Sequence, residues 1–142
     1  MTKKLLPKRV CVNKGWGMTL PYNPGLTGEV FVYHEELDGN NLKHPKFDVR
    51  TVKLLYVCQN KKGSLHFHKN KEEIFFCVKG SFEIKIVSKN AVVDYFKLEE
   101  GDSISIPPLT IHQIKGEGYI NILLEVSTLD SPDDSYRIKK GD

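Results

Sequence analysis

The chain has 142 residues, enough for one domain with its own core, and its 39% hydrophobic and 27% charged residues are ordinary for a globular protein. The net charge of +3 arises from 21 basic against 18 acidic residues, and arginine occurs only at positions 9, 50 and 137. This composition argues against a nucleic-acid-binding face, and no apolar segment approaches the roughly 20 residues of a membrane span.

The predicted elements are short strands separated by turn residues. Residues 81–87 alternate cleanly, with Phe82, Ile84 and Ile86 on one face and polar residues on the other. Residues 34–47 read as a loop, no segment carries a helical apolar stripe, and the region from 128 onward is polar and expected at the surface. In chain order the predicted strands are residues 29–33, 51–58, 64–68, 73–78, 81–87, 91–98, 103–106, 111–115 and 119–127. The fold class is therefore predicted to be all-β.

The cysteines indicate the compartment. Cys11, Cys58 and Cys77 are odd in number and widely spaced, which is typical of a reducing environment rather than of a disulfide framework. The first residues lack the apolar segment of a secretion signal. We expect a soluble cytoplasmic protein.

Three of the five histidines form a candidate metal site. His66 and His68 lie two residues apart in a predicted strand, so both imidazoles project from the same face. Glu73 opens the next strand, and His112 lies far along the chain. Three imidazoles and one carboxylate suit manganese, iron, cobalt, nickel, copper or zinc. A His-x-His pair alone also arises by chance in strands, so the residues around it matter.

Those surrounding residues resemble the two motifs of the cupin superfamily. The first, G(X)5HXH(X)3,4E(X)6G, is met by His66, His68, Glu73 and Gly80. The second, G(X)5PXG(X)2H(X)3N, is met by Gly101, Pro107 and His112. Three motif positions differ in this chain: Asn60 and Leu109 stand where the family has glycine, and Gly116 stands where it has asparagine.

The resemblance implies a single cupin domain over residues 1–142, a double-stranded β-helix or jelly-roll barrel. The barrel core would cover about residues 28–127, followed by a polar tail at 128–142. It also implies one divalent metal ion held by His66, His68, Glu73 and His112. Glu72 continues the even-numbered face of the two histidines, but the spacing to Gly80 favours Glu73 as the acidic ligand.

Within the superfamily the chain resembles the cupin domain of mannose-6-phosphate isomerase. The similar segments are residues 14–17 (KGWG), 64–71 (SLHFHKNK), 101–103 (GDS), 106–108 (IPP), 124–128 (LEVST) and 134–137 (DSYR). This resemblance implies isomerisation of an aldose to a ketose, with a sugar or sugar phosphate as substrate. Glu73 or Glu72 would serve as the catalytic base, and Arg50, Lys53 and Arg137 are candidate phosphate anchors.

Two other functions are open at this stage. Three histidines around an ion with open positions also suit a mononuclear iron dioxygenase. A non-catalytic sugar-binding cupin is the second alternative, because the barrel hosts many functions. The resemblance is compatible with a homodimer joined through edge strands. The composition and the lack of a long apolar segment argue against nucleic acid or a membrane as a partner.

Overall fold

The computed structural model describes residues 44–142 in full, and before them the backbone of three strands. These are β1 (Cys11–Asn13), β2 (Gly28–His34) and β3 (Leu42–Lys43). The Trp-Gly element at residues 14–17 and the side chain of Cys11 lie outside the described part. The later elements are β4 (Asp48–Val49), β5 (Thr51–Tyr56), β6 (Leu65–Phe67), β7 (Glu73–Lys79), β8 (Ser81–Val87), β9 (Val93–Glu99), β10 (Ser103–Ile106), β11 (Ile111–Gly116), β12 (Ile122–Ser127), a 3₁₀ helix (Pro132–Asp134) and β13 (Tyr136–Lys139).

The all-β prediction is confirmed. Each of the nine predicted strands has a counterpart whose ends agree within three residues, and the strands at 81–87 and 103–106 agree at both ends. The strands β1, β3, β4 and β13 were not predicted: the first three have two or three residues, β3 lies within the predicted loop 34–47, and β13 has only four residues, all exposed.

The strands form two antiparallel sheets that pack face to face. One has the order β1-β2-β5-β12-β7-β10, the other β13-β6-β11-β8-β9, and β3 and β4 pair as a small separate ribbon. Alternation along each strand directs every second side chain between the sheets. The buried apolar residues there are Leu55, Val57, Phe75, Cys77, Phe82, Ile84, Leu98, Ile106, Ile114 and Leu123. A two-sheet barrel of the predicted jelly-roll type results.

One part of this interior is polar. On β12 the residues turned inward are Leu123, Glu125 and Ser127, whereas Ile122 and its even-numbered neighbours are half-buried on the outer face. On β5 the inward residues include Thr51 and Lys53. Because β12 pairs with both β5 and β7, these polar side chains gather in one region of the barrel.

Gly80 is required by the turn between β7 and β8. Its φ of +75° is left-handed, and a Cβ there would collide with the carbonyl oxygen of Ile120. Only glycine fits a position with both constraints. This explains the glycine that closes the first motif.

Two of the motif departures keep the backbone conformation that glycine would favour. Asn60 has a φ of 63° and Leu109 a φ of 67°, both in the left-handed region. Asparagine tolerates that region, but a leucine is strained there. The turn before His112 is also fixed by the Leu109 N–H, which donates to the His68 carbonyl at 2.6 Å. The substitution at 109 therefore strains the turn instead of reshaping it.

We expect Leu109→Gly to raise the free energy of unfolding by about 1 kcal/mol, because it relieves the left-handed strain. Little packing is lost, since Leu109 is 56% exposed. Chemical denaturation measures the change. Leu65→Gly, in an extended strand, is the matched control and should lower the stability. A Leu109→Gly protein less stable than wild type would contradict the strain.

Candidate metal centre

The three motif histidines meet inside the barrel. His66 lies on β6 and His112 directly opposite it on β11, while His68 follows the end of β6. The His66 ring centroid is 4.5 Å from that of His112 and 4.8 Å from that of His68. One ring nitrogen from each lies within 4.8 Å of the other two, so the cluster could hold a metal ion.

Glu73 approaches this cluster from the opposite sheet. Its Oε1 is 2.9 Å from Nε2 of His68 and 3.8 Å from Nε2 of His112. The side chain is 1% exposed. Burial alternates from residue 71 to 77, so Glu73 shares the inner face with Lys71 and Phe75, whereas Glu72 falls on the other side and is half-buried. The structure therefore brings Glu73, not Glu72, to the histidines.

The far nitrogen of each imidazole is held by a backbone carbonyl. Nδ1 of His112 lies 2.8 Å from the Thr110 oxygen, and Nδ1 of His68 lies 2.9 Å from the Asp134 oxygen. Nδ1 of His66 lies 3.0 Å from the Ser64 carbonyl oxygen and 2.8 Å from the Ser64 hydroxyl. Carbonyls only accept, so each Nδ1 carries the proton and donates it. Each Nε2 is thereby directed into the cluster, as in metal-binding histidines.

Several polar atoms of the cluster are buried without a hydrogen bond. They are both carboxylate oxygens of Glu73 and Nε2 of His112. The 2.9 Å contact from His68 to Glu73 is close enough for an ion pair but lacks hydrogen-bond geometry. Buried polar atoms without partners are costly, and a cation between them would satisfy all three. The donor set therefore fits a first-row divalent ion.

The pKa shifts also favour metal-binding forms. Burial, aided by the nearby His112 and His68, lowers the pKa of His66 to about 3. Burial likewise lowers the pKa of His112. For His68 burial acts in the same direction, but contact with the Glu73 carboxylate outweighs it and raises the pKa. His66 and His112 are thus neutral near pH 7, as metal ligands must be.

A buried charge network adjoins Glu73. The Lys71 ammonium lies 3.5 Å from Glu73, 2.7 Å from Glu125 and 3.0 Å from Asp130. Lys53 joins it, 3.0 Å from Asp130 and 3.6 Å from Glu125. Burial alone would raise the pKa of Glu73, but Lys71 and the imidazoles hold it well below the usual value. Glu73 is therefore a carboxylate even though it is fully enclosed.

The sequence pattern does not indicate this network. Lys53 was a candidate phosphate anchor, yet it is 6% exposed and committed to internal ion pairs. Lys71 falls in a polar turn of the sequence, and Asp130 falls in the polar region that is expected at the surface. The alternation did not indicate the network, because the apolar residues at even positions of β5 and β12, such as Leu54 and Leu124, predict that Lys53 and Glu125 face solvent.

A cleft of about 540 Å³ is lined by two neighbours of His112 but by none of the four candidate ligands. It lies between β9 and β10, the edge strands of the two sheets. Its lining includes Ile86, which is directly opposite His112 across the β8–β11 pair, and Thr110, whose carbonyl holds His112. The volume is within the range of small-molecule sites.

The sequence matches the family described as "Cupin domain" over residues 56–127, just over half of the chain. The protein therefore belongs to the cupin family. A mannose-1-phosphate guanylyltransferase of Sinorhizobium fredii is 31% identical over 124 residues, which are 87% of this chain and 22% of that protein. The chain thus spans about a fifth of this relative's length.

Solved structures show the same fold. Bacillus subtilis oxalate decarboxylase, which has Mn(II) centres, matches with a TM-score of 0.70 at 16% identity, over 97% of this chain and 33% of its own. The capsular polysaccharide assembling protein CapF of Staphylococcus aureus gives 0.68 at 16% identity, over 92% and 34%. KdgF from Halomonas sp. gives 0.58 at 18% identity, over 80% and 87%. In the described part of the chain, no helix is long and apolar enough to cross a membrane.

In the metal-free protein we expect His66 and His112 to be neutral and protonated on Nδ1, because backbone carbonyls accept at that atom. Long-range ¹H–¹⁵N spectra at neutral pH distinguish the two tautomers. His44, whose Nδ1 accepts from the Lys46 N–H at 3.1 Å, is the internal control and should show the opposite tautomer when neutral. An Nε2-protonated His112 would contradict the proposed orientation of the cluster.

Proposed function

We propose that this cupin is a metal-dependent enzyme that isomerises a sugar or sugar phosphate between aldose and ketose forms. The ligands would be His66, His68, Glu73 and His112. The observation that carries the proposal is the convergence of three Nδ1-anchored imidazoles on a buried carboxylate that lacks hydrogen-bond partners.

The position of Glu73 supports its assignment as the acidic ligand. Its carboxylate is enclosed by two imidazoles and the Lys71 ammonium. Glu72 is half-buried on the other side of the strand, and its backbone N–H is held by the Thr128 hydroxyl at 3.0 Å. Of the two carboxylates considered for proton transfer, Glu73 is therefore the one that reaches the interior, in the role of a ligand.

A divalent ion bound here would supply a Lewis acid that polarises a sugar carbonyl and its neighbouring hydroxyl. The protein's own residues would orient and enclose the reacting atoms. Phe75 packs against His112, with ring centroids 5.9 Å apart, and excludes water from that side. The cleft beside Ile86 and Thr110 would admit the substrate, and its serines at 103 and 105 offer hydroxyls to a sugar.

The relatives support a carbohydrate substrate. The guanylyltransferase is named for mannose 1-phosphate, and CapF for the assembly of a capsular polysaccharide. Both names concern sugars, and one concerns a sugar phosphate. We therefore assign the substrate to this class.

We expect His112→Ala to lose at least roughly 100-fold in metal affinity, more than an outer-shell change would cost. Elemental analysis of protein purified without chelator measures the metal content, and circular dichroism shows whether the barrel is folded. His44→Ala removes a histidine outside the cluster and should keep the wild-type content. A folded His112→Ala protein with full metal would exclude His112 as a ligand.

Isomerisation is tested by incubating the metal-loaded protein with a panel of sugar phosphates in D₂O. We expect deuterium at C1 or C2 of the substrate, because proton transfer accompanies aldose–ketose conversion. Glu73→Gln, which removes the buried charge, should abolish the exchange. Tight sugar binding without exchange would instead support a binding protein, and O₂ uptake with iron(II) alone would support a dioxygenase.

A further inference from the structure

We propose that the segment Thr128–Lys139 is part of the metal centre, and that Asp134 is the positioning residue through which it holds His68. The segment follows the residues that match the cupin family, which end at 127. It carries none of the four proposed ligands. This role rests on the proposed metal site and on the contacts of two aspartates, Asp134 and Asp130.

The Asp134 carboxylate shapes the turn between His68 and Glu73. Its Oδ1 accepts the N–H of Lys69 at 2.8 Å, and its Oδ2 accepts the N–H of Lys71 at 2.9 Å. The Asn70 N–H lies 3.1 Å from both oxygens. Asp134 is 8% exposed, so these charge-assisted bonds are shielded from water. One side chain thus fixes three of the four residues between His68 and Glu73.

The same residue holds the imidazole itself. The backbone carbonyl of Asp134 accepts the Nδ1 proton of His68 at 2.9 Å. Of the three carbonyls that anchor the histidines, the other two belong to residues two positions before their own histidine, Ser64 and Thr110. His68 alone among the three depends on a residue 66 positions away. Its orientation therefore requires the C-terminal segment to be docked.

Strand pairing docks the segment. β13 adds to the edge of β6, with Tyr136 opposite Phe67 and Arg137 opposite His66. The Phe67 and Tyr136 rings stack at 5.1 Å, and the Lys69 ammonium lies 4.6 Å from the Tyr136 ring centroid. These contacts lie beside His66 and His68 on the outer side of the barrel. They hold the Asp134 carbonyl at a fixed distance from the His68 imidazole.

Asp130 extends the same support to Glu73. Its Oδ1 is 3.0 Å from the Lys71 ammonium, which in turn lies 3.5 Å from Glu73. The backbone N–H of Lys71 also donates to Oδ2 of Asp134. Both ends of the turn, the imidazole of His68 and the carboxylate of Glu73, are thus tied to one C-terminal segment. Removal of an outer-shell partner of this kind typically lowers the metal affinity by about 10- to 100-fold.

The test compares Asp134→Ala and Asp134→Asn with Asp133→Asn, an exposed neighbour in the same 3₁₀ helix. Cobalt(II) is titrated into each metal-free protein in competition with a chromophoric chelator, and the visible absorption of the bound cobalt reports its ligand field. Circular dichroism and thermal melting report the fold. Asp134→Asn keeps the side-chain shape, so it should fold even where the alanine variant does not.

We expect both folded Asp134 variants to bind cobalt about tenfold or more weakly and with an altered absorption spectrum, while Asp133→Asn matches wild type. Wild-type affinity and spectrum in a folded Asp134→Asn protein, whatever its melting temperature, would overturn the inference while the metal site stands. A wild-type protein that binds no cobalt would instead refute the proposed function, and this inference with it.

Discussion

The site depends on one constraint: each imidazole is fixed at its far nitrogen by a backbone carbonyl. Hydrogen bonds from Nδ1 to Ser64, Asp134 and Thr110 leave every Nε2 directed at the same point. Ser64 and Thr110 directly precede β6 and β11, and Asp134 ends the 3₁₀ helix before β13, so the fold positions all three carbonyls. Without these bonds three neighbouring histidines on two strands could turn apart and would offer no common centre.

Burial of so many charges has a thermodynamic cost that the barrel offsets locally. Taking ions out of water costs several kcal/mol each unless partners compensate. Here Lys53 and Lys71 lie among three carboxylates, and the apolar residues around Phe82 and Ile84 supply the hydrophobic burial elsewhere in the same interior. The barrel interior thus has two parts. The apolar part stabilises the fold, and the polar part contains the histidine cluster that could hold a metal ion.

Much of the fold could be predicted because alternation and turn residues are local signals. The spacing to Gly80 favoured Glu73 over Glu72 as the acidic ligand, and the structure places Glu73 beside the histidines. Gly80 itself is necessary for a steric reason. Alternation along β6 would place Glu72 on the same face as His66 and His68. Residues 69–71 carry the chain from β6 into the opposite sheet, so this alternation does not extend to Glu72. Leu109 stands where the second motif has glycine, and its backbone is left-handed all the same, which the identity of the residue does not indicate.

The supporting residues could not be predicted. Lys71, Asp130 and Asp134 are charged residues in turn-like sequence, which ordinarily face water, and their burial arises from partners about 60 positions away. In the strand Tyr136–Lys139, Tyr136 and Ile138 alternate with two basic residues, but a pattern of only four exposed residues is too short to predict its pairing beside His66. Contacts between distant polar segments are a property of the tertiary structure.

The central claim is tested most directly by diffraction from crystals grown with zinc, using anomalous scattering at the zinc edge. We expect one peak between the sheets, with bonds of about 2.1 Å to Nε2 of His66, His68 and His112 and to a Glu73 oxygen. A peak bound through Nδ1, or zinc held elsewhere with the three imidazoles turned away from one another, would contradict it.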